Sequence, residues 1–359
     1  MSLNPQRLQR LERSLELALN QEWPQLNRIQ RDVVRLRPTA ILTKKNRSDL
    51  PIVATVATDG GENRLRLDPI RMQVLRVADS NGEIYFEDFV AQSLNPDEIL
   101  RYFFQSDPRL QKFLDYLKVD WQELLPRSEF QKSQLLTMLR ELMEWAALLK
   151  LASQPPAKLL IRDGLLRSIL LPEVVFGKLR ERFESFTQKH GHLLVGVAKR
   201  SSVINYLSVA FGLSESFADA RPAYLEIPAN MEREAAPSQY RWIDGRTMGQ
   251  LFIARLDEGE GVPLMPVDIA AWQTNRVSES MALLHESARA SFPIRGYPHA
   301  LIRAHEHARL GGLEIEMLEH LLLKQIADRE PRVAKQAQLL RLLGQRLTED
   351  SDDGQTTEI

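Results

Sequence analysis

The amino-acid sequence predicts a mixed α/β fold with a helical arm at the N-terminus and a helical layer at the C-terminus. Short runs rich in β-branched residues, such as 51–58, predict buried strands. Longer segments such as 128–152 repeat apolar residues every three or four positions and therefore predict amphipathic helices. Along the chain, three strands come first and are followed by helices, a strand, a helix and another strand.

The N-terminal helical arm is assigned to residues 1–48. Residues 5–35 are polar and rich in arginine, with Leu8, Leu11, Leu15 and Leu19 on one side. This spacing predicts an amphipathic helix that packs against the rest of the chain, and Pro24 predicts a break or a restart within it.

Three strand-like segments follow the arm, at residues 51–58, 64–79 and 83–91. The first is short and β-branched, the second alternates arginine with apolar residues, and the sequence DSNGE predicts a turn before the third. These three segments are expected to form an antiparallel meander.

Helices dominate the chain from about residue 96, and the prolines of QPP at 154–156 end the longest of them. A buried strand at 157–164, a helix at about 172–190 and another buried strand from His192 come next. Residues 240–256 predict two strands around a turn, and the chain from about 269 onward is mostly helical.

One continuous domain at 49–312 accounts for these segments, because the sequence contains no internal repeat and no low-complexity linker. Residues 313–347 predict a C-terminal helical extension, for which extra packing is the simplest role. Residues 348–359 are acidic and polar, which predicts a disordered tail.

Composition limits the class of protein. The chain has 359 residues, of which 43% are hydrophobic and 26% charged, and a formal net charge of -1, which excludes a small basic DNA-coating protein. The absence of cysteine excludes disulfides, thiolate metal sites and a cysteine nucleophile. Without an apolar leader or a long uncharged apolar run, the sequence predicts a cytoplasmic protein with no membrane partner.

Three Asp-Gly doublets follow apolar segments, at Asp59, Asp163 and Asp244. Asp-Gly is a common hairpin signal, and Asp244 lies between two β-rich segments that are close in sequence, so it is assigned to a hairpin. Asp163 ends a strand that precedes a helix, which places its carboxylate at the edge where catalytic groups collect in α/β sheets. Asp59 ends the first strand, and an ordinary turn is the alternative interpretation there.

Two carboxylates on adjacent strands repel each other unless a divalent cation lies between them, so Asp59 and Asp163 together predict a metal site. Phosphodiester hydrolysis uses such carboxylates to hold two cations about 3.5–4 Å apart, one activating water and one stabilising the leaving oxygen. A helix across that edge is expected to add a ligand. Glu141 and Glu144 lie one helical turn apart, and the spacing leaves both open.

The segment RGYPHALIRAHEHARL contains Tyr297, His305 and His307. Residues two apart on a helix point in different directions, so only one of the two histidines is expected to face a site. A helix that begins at Tyr297 and Pro298 directs Tyr297 and His305 along one side. The alternative is a capped helix with both histidines in solvent.

The motifs VATDGG, LLIRDGLLRS, LLVGVAKRS and GYPHALIRAHEHARL, in this order, resemble the NurA nuclease family. The resemblance spans roughly residues 50–312. It implies a ribonuclease-H-like fold, in which three antiparallel strands precede alternating helices and parallel strands, with metal-binding acids on the first and fourth strands.

For function, the resemblance implies a manganese-dependent DNA nuclease, with Mg2+ as the other possible cation, in DNA end processing and repair. It implies hydrolysis of single-stranded DNA or DNA ends, as a 5′-3′ exonuclease with endonuclease activity. It also implies a homodimer that works with a HerA-like hexameric ATPase. The chain has no P-loop motif, so ATP hydrolysis is expected from the partner.

The resemblance assigns metal-binding roles to Asp59, Asp163, Glu144 and His305, with Glu141 as a rival to Glu144. His305 is alternatively a proton-transfer group near the leaving oxygen.

Three further residues are assigned to DNA. The resemblance makes Tyr297 a catalytic residue that contacts the nucleotide. From the residues themselves, we expect Lys199, at the end of a strand, and Arg200 beside it to contact phosphate.

Two positions depart from the family pattern, in which a small or hydroxyl residue follows each Asp-Gly. Gly61 is small but Leu165 is not, which leaves reduced activity open. One alternative function is therefore a catalytically silent subunit that binds DNA or an ATPase on the same fold. Another interpretation makes all the doublets turns in an unrelated α/β protein.

Overall fold

The computed structural model describes residues 5–41, 52, 54–67, 70–91, 94–106, 108–199, 207, 209–212, 217–235, 246–289 and 291–339. Its helices are α1 (Pro5–Val33), α2 (Pro96–Ser106), α3 (Pro108–Leu117), α4 (Glu129–Ser133), α5 (Leu135–Ala152), α6 (Glu173–His190), α7 (Ala229–Ala235), α8 (Val277–Ala288), α9 (His299–Ala308) and α10 (Gly312–Arg329). The strands are β1 (Thr39–Ala40), β2 (Ala54–Leu67), β3 (Ile70–Asp79), β4 (Ile84–Ala91), β5 (Lys158–Asp163), β6 (Leu193–Val197), β7 (Ala223–Glu226), β8 (Gly249–Arg255) and β9 (Met265–Ala270).

The chain divides into two compact units. The first unit comprises Met1–Ala57 and Leu148–Ile302, and the second comprises Thr58–Ala147 and Arg303–Ile359. Three elements, β2, α5 and α9, run from one unit into the other along the chain.

In the first unit the strands are ordered β1-β7-β8-β9-β6-β5. Strands β5 and β6 are parallel and joined by α6, whereas β6 pairs antiparallel with β9, β9 with β8, β8 with β7, and β7 with β1. Every residue of β6 and of β9 is buried, as expected for central strands covered on both faces. A hydrophobic cluster joins the end of α1 to β7 and β8.

In the second unit β2, β3 and β4 form an antiparallel meander. Asp59 in β2 lies opposite Ala78 in β3. The core of β3 is fully buried at Val74, Leu75 and Val77, and Leu310, after α9, packs on Val74. The meander therefore carries Asp59 in a strand with buried neighbours.

The predicted mixed α/β fold is confirmed, with three antiparallel strands followed by a parallel pair around a helix. Membership of the ribonuclease-H-like class stays a prediction, as do the domain boundaries at 48, 312 and 347. The tail 348–359 and Asp244 lie outside the described residues. Of the predicted strand pair at 240–256, the described part contains β8.

Three expectations about the first half of the chain were wrong. Residues 64–79 form the end of β2 and all of β3, so the first strand continues past Asp59 to Leu67. The predicted helix at 128–152 is two helices, α4 and α5. In α1, which is continuous through Pro24, the leucines expected to pack are exposed, whereas Ile29 and Val33 are buried.

Across the residues that the structure describes, none of the helices combines the length and the apolar composition that crossing a bilayer requires.

Candidate functional site

Asp59 lies inside β2 and its side chain is buried, with 9% of it exposed. One carboxylate oxygen accepts a hydrogen bond from the backbone N–H of Gly60 at 2.7 Å. The other oxygen lies 2.7 Å from Nδ1 of His305 on α9. This contact orients the imidazole ring beside Asp59.

The two glycines after Asp59 explain how helices reach this strand. A methyl group added to Gly60 would lie 2.3 Å from Oε1 of Glu144 on α5, and one added to Gly61 would lie 2.0 Å from the carbonyl oxygen of Ala308 on α9. Successive residues of a strand point to opposite faces. The strand therefore passes between α5 and α9, and the glycines serve close packing, because β2 continues through them without a turn.

Glu144, and not Glu141, is the glutamate that packs against the strand of Asp59. Its carboxylate touches Gly60 and lies 3.5 Å from Nε of Arg140, one turn earlier on α5. Glu141 is also buried, but it accepts a hydrogen bond from the indole N–H of Trp145 at 3.3 Å. The two glutamates therefore have different neighbours, and the choice of Glu144 over Glu141 as a metal ligand stays a prediction.

Asp163 ends β5 in the first unit and makes contacts through both carboxylate oxygens. The hydroxyl of Tyr297 donates to one oxygen at 3.2 Å. The ammonium nitrogen of Lys199 lies 3.4 Å from the other oxygen and 4.9 Å from the centre of the Tyr297 ring. An acid, a phenol and an amine thus form one compact cluster just beyond the parallel strand pair β5–β6.

The turn after Asp163 needs its glycine, unlike the doublet at Asp59. Gly164 has φ +112, which non-glycine residues rarely adopt. The guanidinium of Arg162 fills the space beside it and donates to the carbonyl of Leu165 at 2.7 Å. The Leu165 side chain is buried in the hydrophobic cluster with β7 and β8, which accommodates its departure from the family pattern.

A buried ion network that the sequence analysis missed supports this turn. Arg167 donates to both oxygens of Asp268 in β9, at 2.8 and 2.5 Å, and also pairs with Glu232. Burial opposes its charge, yet Asp268 and Glu232 raise the pKa of Arg167 above its usual value, while burial raises the pKa of Glu232. The local pattern gives no signal for it, because Arg167 and Asp268 are 101 residues apart.

The motif RGYP places Tyr297 before α9 and not on it, because the helix begins at His299. Arg295 donates to Asp257 at 3.0 Å, and Gly296 has φ +79. A methyl group on Gly296 would also lie 2.4 Å from Val262. The expectation that Tyr297 lies on a helical face was therefore wrong. Tyr297 is 1% exposed, and its observed partners are Asp163 and Lys199.

The two histidines of α9 separate as predicted. His305 contacts Asp59, whereas the His307 ring lies beside Gly82, 3.5 Å from the position of an added methyl group. The predicted residues therefore fall into a group in the second unit, comprising Asp59, Glu144 and His305, and a group in the first unit, comprising Asp163, Lys199 and Tyr297. Arg200 lies outside the described residues.

A sequence model of the NurA domain matches residues 53–310, which is more than half of the chain. Among solved structures, the chain is similar to "the NurA nuclease from Sulfolobus solfataricus", with 14% identity, 91% of this chain and 98% of that chain covered, and a TM-score of 0.44. It is also similar to "NurA bound to dAMP and manganese", with 13% identity, 86% and 94% coverage, and a TM-score of 0.39. No curated protein matches the chain.

Proposed function

The chain belongs to the NurA family, and we propose on that premise that it is a metal-dependent nuclease that hydrolyses phosphodiester bonds in DNA. The observation that carries the proposal is the family match over 53–310, which contains every acid and histidine of the two groups described above. The pairing of Asp59 with His305, and of Asp163 with Lys199 and Tyr297, supports it.

We propose that Asp59, His305 and Glu144 in the second unit hold a divalent cation, and that Asp163 in the first unit also binds metal, as the family resemblance implies. The donor set fits this role, since carboxylates suit Mn2+ and Mg2+, and an imidazole nitrogen favours Mn2+ of the two. Asp59 would offer a carboxylate oxygen and His305 a ring nitrogen to the cation. When bound, the cation activates a water molecule and stabilises the leaving oxygen.

The residues of the chain supply the remaining chemistry. In the alternative role, in which His305 is not a ligand, its second ring nitrogen can hold or move a proton while Asp59 orients the ring, and the side chain is 46% exposed. The hydroxyl of Tyr297 positions Asp163. Lys199 contacts the phosphate, and a nucleotide contact for Tyr297 and a phosphate contact for Arg200 stay predictions.

Several finer points belong to the same proposal. The substrate is single-stranded DNA or a DNA end, cut by 5′-3′ exonuclease action with endonuclease activity, and Mn2+ is the preferred cation. The chain acts in DNA end processing and repair as a homodimer with a HerA-like hexameric ATPase. Its cytoplasmic location stays a prediction.

Cleavage of a 5′-labelled single-stranded DNA tests the proposal. Wild-type protein, Asp59→Ala and Asp163→Ala are each assayed with Mn2+, with Mg2+ and with a chelator. We expect metal-dependent cutting by wild type and a loss of at least about 100-fold in both variants, since each removes a ligand of the cation.

Asp219→Ala is the matched control, because Asp219 is an exposed aspartate paired with Arg221 on the surface. It should cut like wild type. Circular dichroism of each variant verifies that the fold is retained. Mn2+ binding without cutting by wild type would instead favour the silent assembly subunit, and neither binding nor cutting would contradict the proposal.

A further inference from the structure

Lys199 occupies one side of Asp163 with a positive charge. Its ammonium nitrogen lies 3.4 Å from one carboxylate oxygen, and the side chain lies above the buried Tyr297 ring. The hydroxyl of Tyr297 donates a hydrogen bond to the other carboxylate oxygen of Asp163. Any cation that binds Asp163 therefore meets an ammonium group already placed on that carboxylate.

The geometry of this ion pair differs from that of a structural pair. Arg167 and Asp268 are 5% and 0% exposed and share two hydrogen bonds of 2.8 and 2.5 Å. Lys199 and Asp163 are 34% and 18% exposed, and the contact between the ammonium nitrogen and the carboxylate oxygen is long, at 3.4 Å. Because lysine carries its charge on a flexible four-carbon stem, Lys199 can leave Asp163 at small cost.

The same ammonium group is a suitable partner for a phosphate. Lysine binds phosphate as a point charge. Lys199 lies next to Asp163, at which the proposed reaction takes place. Asp163 and an incoming phosphate therefore compete for Lys199, while Lys199 and a divalent cation compete for Asp163.

We propose that Lys199 holds the place of a cation on Asp163 and couples metal binding to nucleotide binding. This inference rests on the proposed function, in which Asp163 is a metal ligand. When a nucleotide phosphate draws Lys199 away, the ammonium charge no longer competes for that carboxylate oxygen of Asp163, and the cation binds more tightly. By linkage, a bound cation strengthens nucleotide binding by the same factor.

The experiment measures Mn2+ binding from the electron paramagnetic resonance signal of free Mn2+, with and without thymidine 5′-monophosphate. This nucleotide has no phosphodiester bond to cut, so the readout is independent of activity. The proteins are wild type, Lys199→Met, Lys199→Arg and Asp163→Asn. Lys178→Met is the matched control, because Lys178 pairs with Glu181 on an exposed helical surface at 3.0 Å.

Without nucleotide, we expect Lys199→Met to bind Mn2+ about two- to fivefold more tightly than wild type, the range that a partly exposed ion pair permits. Lys199→Arg keeps the charge and should stay near wild type, as should Lys178→Met. Nucleotide should tighten Mn2+ binding to wild type, and by a smaller factor in Lys199→Met.

Three outcomes would overturn the inference. Equal or weaker Mn2+ binding by Lys199→Met, with Asp163-dependent binding in wild type, would make Lys199 a structural partner of Asp163 and leave the proposed function standing. An undiminished nucleotide effect in Lys199→Met would assign the coupling to another group. No Mn2+ binding by any protein, with or without nucleotide, would remove the proposed function and this inference together.

Discussion

Gly61 has no side chain and therefore allows α9, which carries His305, to approach β2 closely. A methyl group at Gly61 would lie 2.0 Å from the backbone carbonyl of Ala308, and backbone cannot rotate away as a side chain can. We expect Gly61→Ala to lower the free energy of unfolding by about 1–3 kcal/mol through overpacking and to reduce cutting by displacing His305. Thermal unfolding and the cleavage assay measure the two effects.

Gly177→Ala is the control for this substitution, because nothing lies within 4 Å of an added methyl group there. Gly177 is in the interior of α6, so alanine should stabilise the protein by about 0.5–1 kcal/mol and leave cutting unchanged. Equal stability of Gly61→Ala and wild type would show that α9 moves freely away from the strand.

His192, just before β6, makes a hydrogen bond to the start of β5. We expect this residue to make the free energy of unfolding depend on pH. Its Nδ1 accepts the backbone N–H of Lys158 at 2.9 Å, which requires an unprotonated nitrogen. Burial, together with Lys158 and His190, lowers the pKa of His192 from 6.5 to about 4. Between pH 6.5 and pH 4, His192 therefore binds a proton in the unfolded chain but not in the folded chain. The free energy of unfolding thus falls as pH drops from 6.5 to 4.

We expect the contribution of His192 to this loss to be at most about 3.5 kcal/mol, at about 1.4 kcal/mol for each pKa unit. His192→Gln should flatten the dependence of the unfolding midpoint on pH in this window. His320→Gln, at an exposed position on α10, should leave it unchanged. The same slope in His192→Gln and wild type would assign the dependence to other groups.

At the scale of elements, Arg76 and Glu314 join β3 to the start of α10. Two nitrogens of Arg76 donate to the Glu314 carboxylate at 2.9 and 3.3 Å, and Glu314 also accepts the N–H of Gly311 at 2.9 Å. These hydrogen bonds lower the pKa of Glu314 below its usual 4.5. Their stabilisation is therefore complete above about pH 4.5 and is lost as pH falls through the lowered pKa.

We expect Glu314→Ala to lower the free energy of unfolding at pH 7 by about 1–2 kcal/mol, the usual cost of losing a helix cap and a charged hydrogen bond. The difference from wild type should shrink towards pH 3. Glu316→Ala, on the exposed surface of the same helix, is the control and should be nearly neutral. A Glu314→Ala deficit that stays constant from pH 7 to pH 3 would contradict the assigned role.

Which elements the sequence predicts depends on where their stabilising contacts lie. The helices other than α7, together with β5 and β6, are predicted because apolar periodicity is local. Strand β9 is missed because proline and aspartate are rare in strands, and the partners of Asp268, Arg167 and the N–H of Leu166, lie about a hundred residues away. Strand β7 was missed because it has four residues.

At the candidate site too, the features that depend on contacts distant in sequence are not visible in local patterns. Asp59, Asp163 and His305 follow from short motifs, but the first strand is expected to end at Asp59, because only the approach of α5 and α9 reveals that the glycines after it serve close packing. Glu144 could not be separated from Glu141 by spacing alone. Arg140 lies four residues before Glu144 and pairs with it. This helical spacing is a local signal in the sequence that distinguishes Glu144 from Glu141.

For the molecule as a whole, α1 has two halves with different roles in stability. Leu8, Leu11, Leu15 and Leu19 are 42–55% exposed, whereas Leu26, Ile29 and Val33 are at most 8% exposed and belong to the cluster that covers β7 and β8. Pro24 lies between the halves and lacks the N–H that would bond to the preceding turn. The second half is therefore part of the core, and the first half extends from it.

Paired substitutions in this one helix separate the two roles. Ile29→Ala should lower the free energy of unfolding by about 2–5 kcal/mol, because it leaves a cavity in a 2% exposed site. Leu15→Ala, at a 52% exposed site, should cost less than about 0.5 kcal/mol. Chemical unfolding at two protein concentrations measures both. A large cost for Leu15→Ala that grows with protein concentration would mean that the first half of α1 is covered by another chain, because association stabilises only the folded state.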